Sequence, residues 1–259
     1  MGGAPAVEAM KLPGASWLRW WRVTGLAGII YGLGTAALAL FPSRDFFRLR
    51  FLITDVQAFF AEREPSLLVV VYLEAMLAGF FLLVFSSGLR SYLSRAEGGY
   101  SMWSHLVLGS GSVAAAITLA VHPVMKTLAL VGVARIDPGV LGATVRFESA
   151  LQSTVVVPLA TMVLAASVVD LKTGVFAKWV GGLGVAATLL LFLGAAWPLT
   201  GSSFGLLGFA LLYGRLLLVA WFVAVGMKLI LVQSPPLHVP GEGLFDPGPM
   251  IEGWRDEPE

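Results

Sequence analysis

Six long runs of apolar residues divide this chain, and most of them end at a proline or a polar break. A membrane-spanning helix needs about 20 mostly apolar residues. The runs predict spans at about 17–41, 66–92, 103–121, 152–170, 176–197 and 204–232. Pro42 follows the first, Pro65 precedes the second, Pro123 lies just beyond the third, Pro198 ends the fifth, and Pro235-Pro236 follow the sixth. Proline lacks an amide hydrogen and clashes with the preceding turn, so it marks a helix boundary. The first run is longer than the apolar core of a secretory signal and is expected to be a retained span.

Between the spans, two segments on the side away from the N-terminus carry a pattern of their own. Phe46, Leu49, Ile53, Val56 and Phe60 recur at intervals of three and four. Arg44, Arg48 and Asp55 fall largely off that stripe, which predicts an amphipathic helix over about 44–61. The second segment, about 124–147, extends the third and fourth spans and turns at Asp137-Pro138-Gly139, giving an outer hairpin. A 1–16 segment precedes the bundle. After residue 232 the pattern breaks into a Pro-rich acidic tail, 233–259. Phe245, Met250 and Trp254 are its candidate anchors for a partner protein.

Composition settles the class. Hydrophobic residues make up 57% and charged residues 13%, with a mean hydropathy of +0.83. A soluble domain carries about 25% charge, so the expectation is an all-α integral membrane bundle. The net charge of +1 provides no basic footprint for nucleic acid. There is no cysteine and there are only three histidines, which excludes thiolate metal sites, iron–sulfur clusters and thiol catalysis. His105 and His122 lie about 25 Å apart on one helix and read as interface residues. No metal or cofactor is expected. With both termini in the cytoplasm, nine Lys/Arg fall inside and seven outside. The positive-inside rule then favours that orientation.

Ionisable groups inside spans are costly and mark candidate sites. Glu74 lies eight residues into the second run and Arg215 eleven residues into the sixth. Their similar depth permits a pair. That pair would serve either as a buried ion pair fixing helix register or as a site, with Arg215 receiving an anionic group and Glu74 carrying a proton. Gln152 and Tyr213 are further ligand-binding candidates. Hydroxyls such as Ser110, Thr118 and Thr154 are expected to bond their own helices. No nucleophile–base pair, GxSxG pattern or phosphate loop accompanies them, so no catalytic residue is assigned. Gly28-Ile29-Ile30-Tyr31-Gly32 offers a small-residue face for packing within the bundle or between copies.

From Gly174 to Trp197 the chain reads Gly-Val-Phe-Ala-Lys-Trp-Val-Gly-Gly-Leu-Gly and then a long apolar run. This stretch resembles a bacterial, actinobacterial-type family of six-span integral membrane proteins of unknown function. Those proteins often carry Gly and then Pro-Arg-Trp-Leu-Gly at this point; Ala177 and Lys178 stand here instead of Pro and Arg. The resemblance implies a helical bundle in a bacterial inner membrane, with no known activity, and carries over no site residue. Two functions remain open. One is a non-catalytic membrane subunit or scaffold contacting lipids and other membrane proteins. The other is a small-molecule or lipid carrier using Glu74 and Arg215.

Overall fold

The computed structural model describes residues 16–40, 69, 72–98, 102–131, 137–196 and 205–232. Over these residues the chain is all-helical, with no strand. The helices are α1 (Ser16–Leu40), α2 (Tyr72–Ala96), α3 (Met102–Val131), α4 (Pro138–Thr173), α5 (Lys178–Ala195) and α6 (Leu206–Leu231). Helices α2 and α5 to α6, residues 102–120 of α3 and residues 154–173 of α4 are long and apolar enough to cross a membrane. Helix α1 is of similar length but carries Arg19 and Arg22 in its first two turns, and it is not one of those five. The proposed amphipathic helix at 44–61 lies outside the described residues, as do segment 1–15 and tail 233–259 with Phe245, Met250 and Trp254.

Each helix runs antiparallel to its chain neighbour and packs chiefly on it, and α1 packs along α6, so the six close into a ring. The end that holds the start of α1 is called the near end below; the opposite one is the far end. Glycine permits the tightest of these seams. A Cβ at Gly25 would run into the Gly226 carbonyl of α6, and one at Gly28 would strike the Phe85 ring of α2. The Gly28–Gly32 face is thus spent inside the ring: Gly28 faces α2 and Gly32 faces Phe222 of α6. With no hydrophobic force between helices in lipid, such close packing is what holds a bundle together.

The ring is filled rather than hollow at its middle. Phe85 lies 5.0 Å from Phe222 and meets Trp221 edge-on at 6.2 Å. Tyr31 packs on Phe222 at 4.8 Å. Helices α4 and α5 are bridged by the Thr188 hydroxyl, which donates to the Ala160 carbonyl at 3.2 Å.

Two prolines do not act as stops. Helix α3 continues through Pro123 to Val131, where the third span was expected to end before it, and Pro158 lies inside α4. An interior proline forfeits one hydrogen bond, and the flanking apolar turns outweigh that loss. Helix α4 starts where Asp137 caps it. The Asp137 carboxylate accepts from Gly139 N at 2.8 Å and Val140 N at 3.2 Å, with Pro138 at the first helical position, where its missing N–H costs nothing. Helix α2 runs past Tyr92 to Ala96 and contains a wider π-helical segment, Leu77–Leu82.

Candidate functional site

Arg215 lies on the stripe Gly208, Arg215, Phe222 and Leu229, spaced by seven along α6. Seven residues are almost two full turns, so these four share one face. Phe222 is 1% exposed, Leu229 is 0% exposed and Gly208 is buried. Arg215 alone on that stripe is exposed. Protein nonetheless surrounds it on most sides, and Tyr31 of α1 lies within its electrostatic reach. On this stripe Phe222 is buried and Arg215, two turns further on, is exposed.

Glu74 holds the corresponding place on α2. It lies three and four residues before Leu77 and Ala78, both buried, and so begins the inward stripe that continues through Leu82, Phe85 and Leu89. It is half-buried and has a polar or electrostatic interaction of its own.

The close approaches fix the relative heights. On one flank of α1, Gly25 meets Gly226 and Gly32 meets Val219; on the other, Gly34 meets Leu77. Carried along the helices at equal rise, these registers put Arg215 opposite Ala36 and Glu74 opposite Ala37, at nearly one height. That height is about 6 Å inside the far end of α1. The seam between α5 and α6, where Gly194 meets Leu211 and Gly214 meets Leu191, puts Arg215 about 8 Å inside the far end of α5. The helices of Glu74 and Arg215 are not principal packing partners at this level; both lean on α1, which lies between them.

The other sequence candidates fall elsewhere. Tyr213 is exposed, on a different face of α6 from Arg215. Gln152 belongs to α4, but its side chain lies outside what is described. Ser110, Thr118 and Thr154 donate to carbonyls of their own helices at Leu106, Ala114 and Ala150. His105 Nε2 accepts from Arg90 Nη2 at 2.9 Å, which joins α2 to α3 at the near end. Among the described residues no cluster of three or more His, Asp or Glu could hold a metal ion.

One ionisable residue escaped the sequence reading. Asp170, in the last turn of α4, is 1% exposed. Its Oδ1 accepts from Phe176 N at 2.8 Å, and its own carbonyl accepts from Gly174 N at 2.7 Å. Ala177 and Gly181 also turn their N–H groups toward the carboxylate, although Oδ2 has no partner at hydrogen-bonding geometry. Gly174 takes the left-handed conformation (φ 65°) that lets the chain reverse within four residues. The Phe176 ring thereby stacks on Tyr92 at 5.4 Å, and Tyr92 in turn meets Trp21 edge-on at 5.2 Å. The Arg95 guanidinium covers the Trp21 ring at 5.6 Å. Asp170 therefore ties the α4–α5 turn to the near end of α1 and α2. The sequence signal was available in Asp170 four residues before Gly174 and six before Phe176, but it reads equally well as the polar end of a span.

Compared with protein-family models, with curated proteins and with solved structures, the chain matches none.

Proposed function

We propose that this chain is a non-catalytic, multi-pass membrane protein that binds a small molecule or lipid by its anionic group in the far-end mouth. The observation that carries this reading is the exposure of Arg215 on an otherwise buried stripe, at the height of Glu74. A guanidinium within an apolar span is costly, on the order of 3 kcal/mol, unless it meets water, a counter-charge or a ligand. Arg215 supplies two parallel donors that suit a carboxylate or phosphate. Glu74 supplies the opposite charge for a cationic portion of the same ligand, or a proton. In this reading α1 is a sixth span, since it packs along α6 through Gly25 and Gly32. The near end is cytoplasmic in a bacterial inner membrane. Arg19, Arg22, Arg90, Arg95, Lys172, Lys178 and Lys228 gather there, as the positive-inside rule requires.

The test is purification of the full chain in a mild detergent, followed by native mass spectrometry. A bound small molecule or lipid that Arg215→Gln releases, while the variant keeps its folded elution profile, supports the reading. The same ligand retained by Arg215→Gln overturns it.

A second reading, a subunit or scaffold of a membrane assembly, is favoured by the far-end hairpin. Helices α3 and α4 contain 30 and 36 residues, about 45 and 54 Å. Both exceed the roughly 30 Å hydrocarbon thickness. Val140 and Phe147, near the start of α4, are exposed on this overhang. Exposed apolar surface beyond the bilayer suits a protein partner. Stoichiometric co-purification of other membrane proteins, lost on Val140→Ser with Phe147→Ser, is the outcome it predicts.

A further inference from the structure

A groove of about 540 Å³ runs along the α5–α6 seam at the near end. Its floor is made by Ala220 and Ala224, one turn apart on α6, whose small side chains leave a notch beside Leu183 of α5. Trp179 and Met227 form its walls, and both are exposed. The lining is otherwise apolar except for Lys228, at the near-end mouth. Lys178 stands beside Trp179 at the first position of α5. The register set by Gly194–Leu211 and Gly214–Leu191 puts Lys178 at the height of Met227 and Lys228; Lys178 is exposed beside the groove and is not part of its lining.

The site joins an alkyl-shaped slot to a pair of cations at one height. An indole at the same level suits the interface between headgroups and acyl chains. Asp170 is the acidic group in reach of Lys228. Its carboxylate is buried and receives Phe176 N–H, and it does not line the groove.

We infer that this groove is a binding site for one anionic phospholipid, with an acyl chain along Ala220 and Ala224 and the phosphate between Lys178 and Lys228. A zwitterionic lipid fits the slot equally well but carries a cationic group that the two lysines repel. The site is separate from the far-end mouth at Arg215, and neither depends on the other.

The test uses the purified full chain in detergent, titrated with phosphatidylglycerol or with phosphatidylcholine of the same chains, and read by native mass spectrometry. The expected result is preferential occupancy by phosphatidylglycerol. Lys178→Gln and Lys228→Gln should each lower that preference about fivefold, and the double variant should abolish it. Ala224→Trp, which fills the notch, should remove the first bound lipid of either kind. The titrations are run on the Arg215→Gln background, which removes the far-end mouth as a second site for an anionic lipid, so a failed far-end site and a failed near-end site give different results. Equal occupancy by the two lipids, or a preference that survives the double lysine variant, overturns the proposal. Gel filtration and a thermal melt of each variant confirm that it is folded, and the lysine pair tests the site even where the tryptophan variant fails to fold.

Discussion

The two ends of the bundle are built on opposite plans. At the near end the core reaches the helix termini. Trp21, Leu89, Leu93, Val169 and Leu229 are all but fully buried, and a buried acid, Asp170, ties a turn down. At the far end the same inward stripes end in charge. Glu74 continues the buried stripe of α2 and Arg215 interrupts that of α6. The difference teaches where this molecule can bind something. A buried charge that receives backbone N–H groups is a structural clasp; the exposed Arg215 is the group we propose to meet a ligand.

That contrast can be broken by substitution. The largest effect is expected for Phe85→Ala, which removes the ring lying against Gly28, Trp221 and Phe222. Stability in detergent should fall by about 3–5 kcal/mol, while Leu206→Ala at the exposed far end should change it by less than about 0.5 kcal/mol. Comparable losses at both positions would erase the distinction. Next comes Asp170→Ala, which leaves the buried Phe176 N–H without an acceptor. Denaturant or thermal unfolding should show a loss of about 1–3 kcal/mol. Asp170→Asn sharpens the point, because its amide oxygen can still accept from Phe176 and most of the stability should return. If Asn is as damaging as Ala, charge rather than the hydrogen bond holds the turn. Thr188→Val, which deletes the hydroxyl joining α5 to Ala160, should cost about 1 kcal/mol. Smallest of all is the expected stability effect of Arg215→Gln, near zero, together with loss of the far-end ligand. A large loss of stability there would make Arg215 a structural counter-charge instead.

Much of this plan was legible in the sequence, and the parts that were not share a cause. Long apolar runs locate helices because the bilayer demands about 20 residues of them, and charge inside such a run stands out against its surroundings. Glu74 and Arg215 were visible for that reason, and their common height follows from counting residues along antiparallel helices. Their shared lean on α1 was not, since it depends on which glycine meets which neighbour across the ring. Pro123 looked like a terminus because proline disfavours helix locally, but a long helix in apolar surroundings absorbs one missing hydrogen bond. Asp170 was overlooked because its partner, Phe176 N–H, is brought to it only by the left-handed turn at Gly174. The π-helical segment Leu77–Leu82 has no residue pattern that announces it.

The proposed function requires water to reach Arg215 on α6 and not Phe222, which is 1% exposed. The chain contains no cysteine, so a single introduced thiol reports on its own position. Arg215→Cys and Phe222→Cys, two turns apart on one stripe, can be compared in membrane vesicles by labelling with a water-soluble maleimide. The account predicts rapid labelling at 215 and none at 222 until the protein is denatured. Equal labelling at both positions, or no labelling at 215, would contradict it.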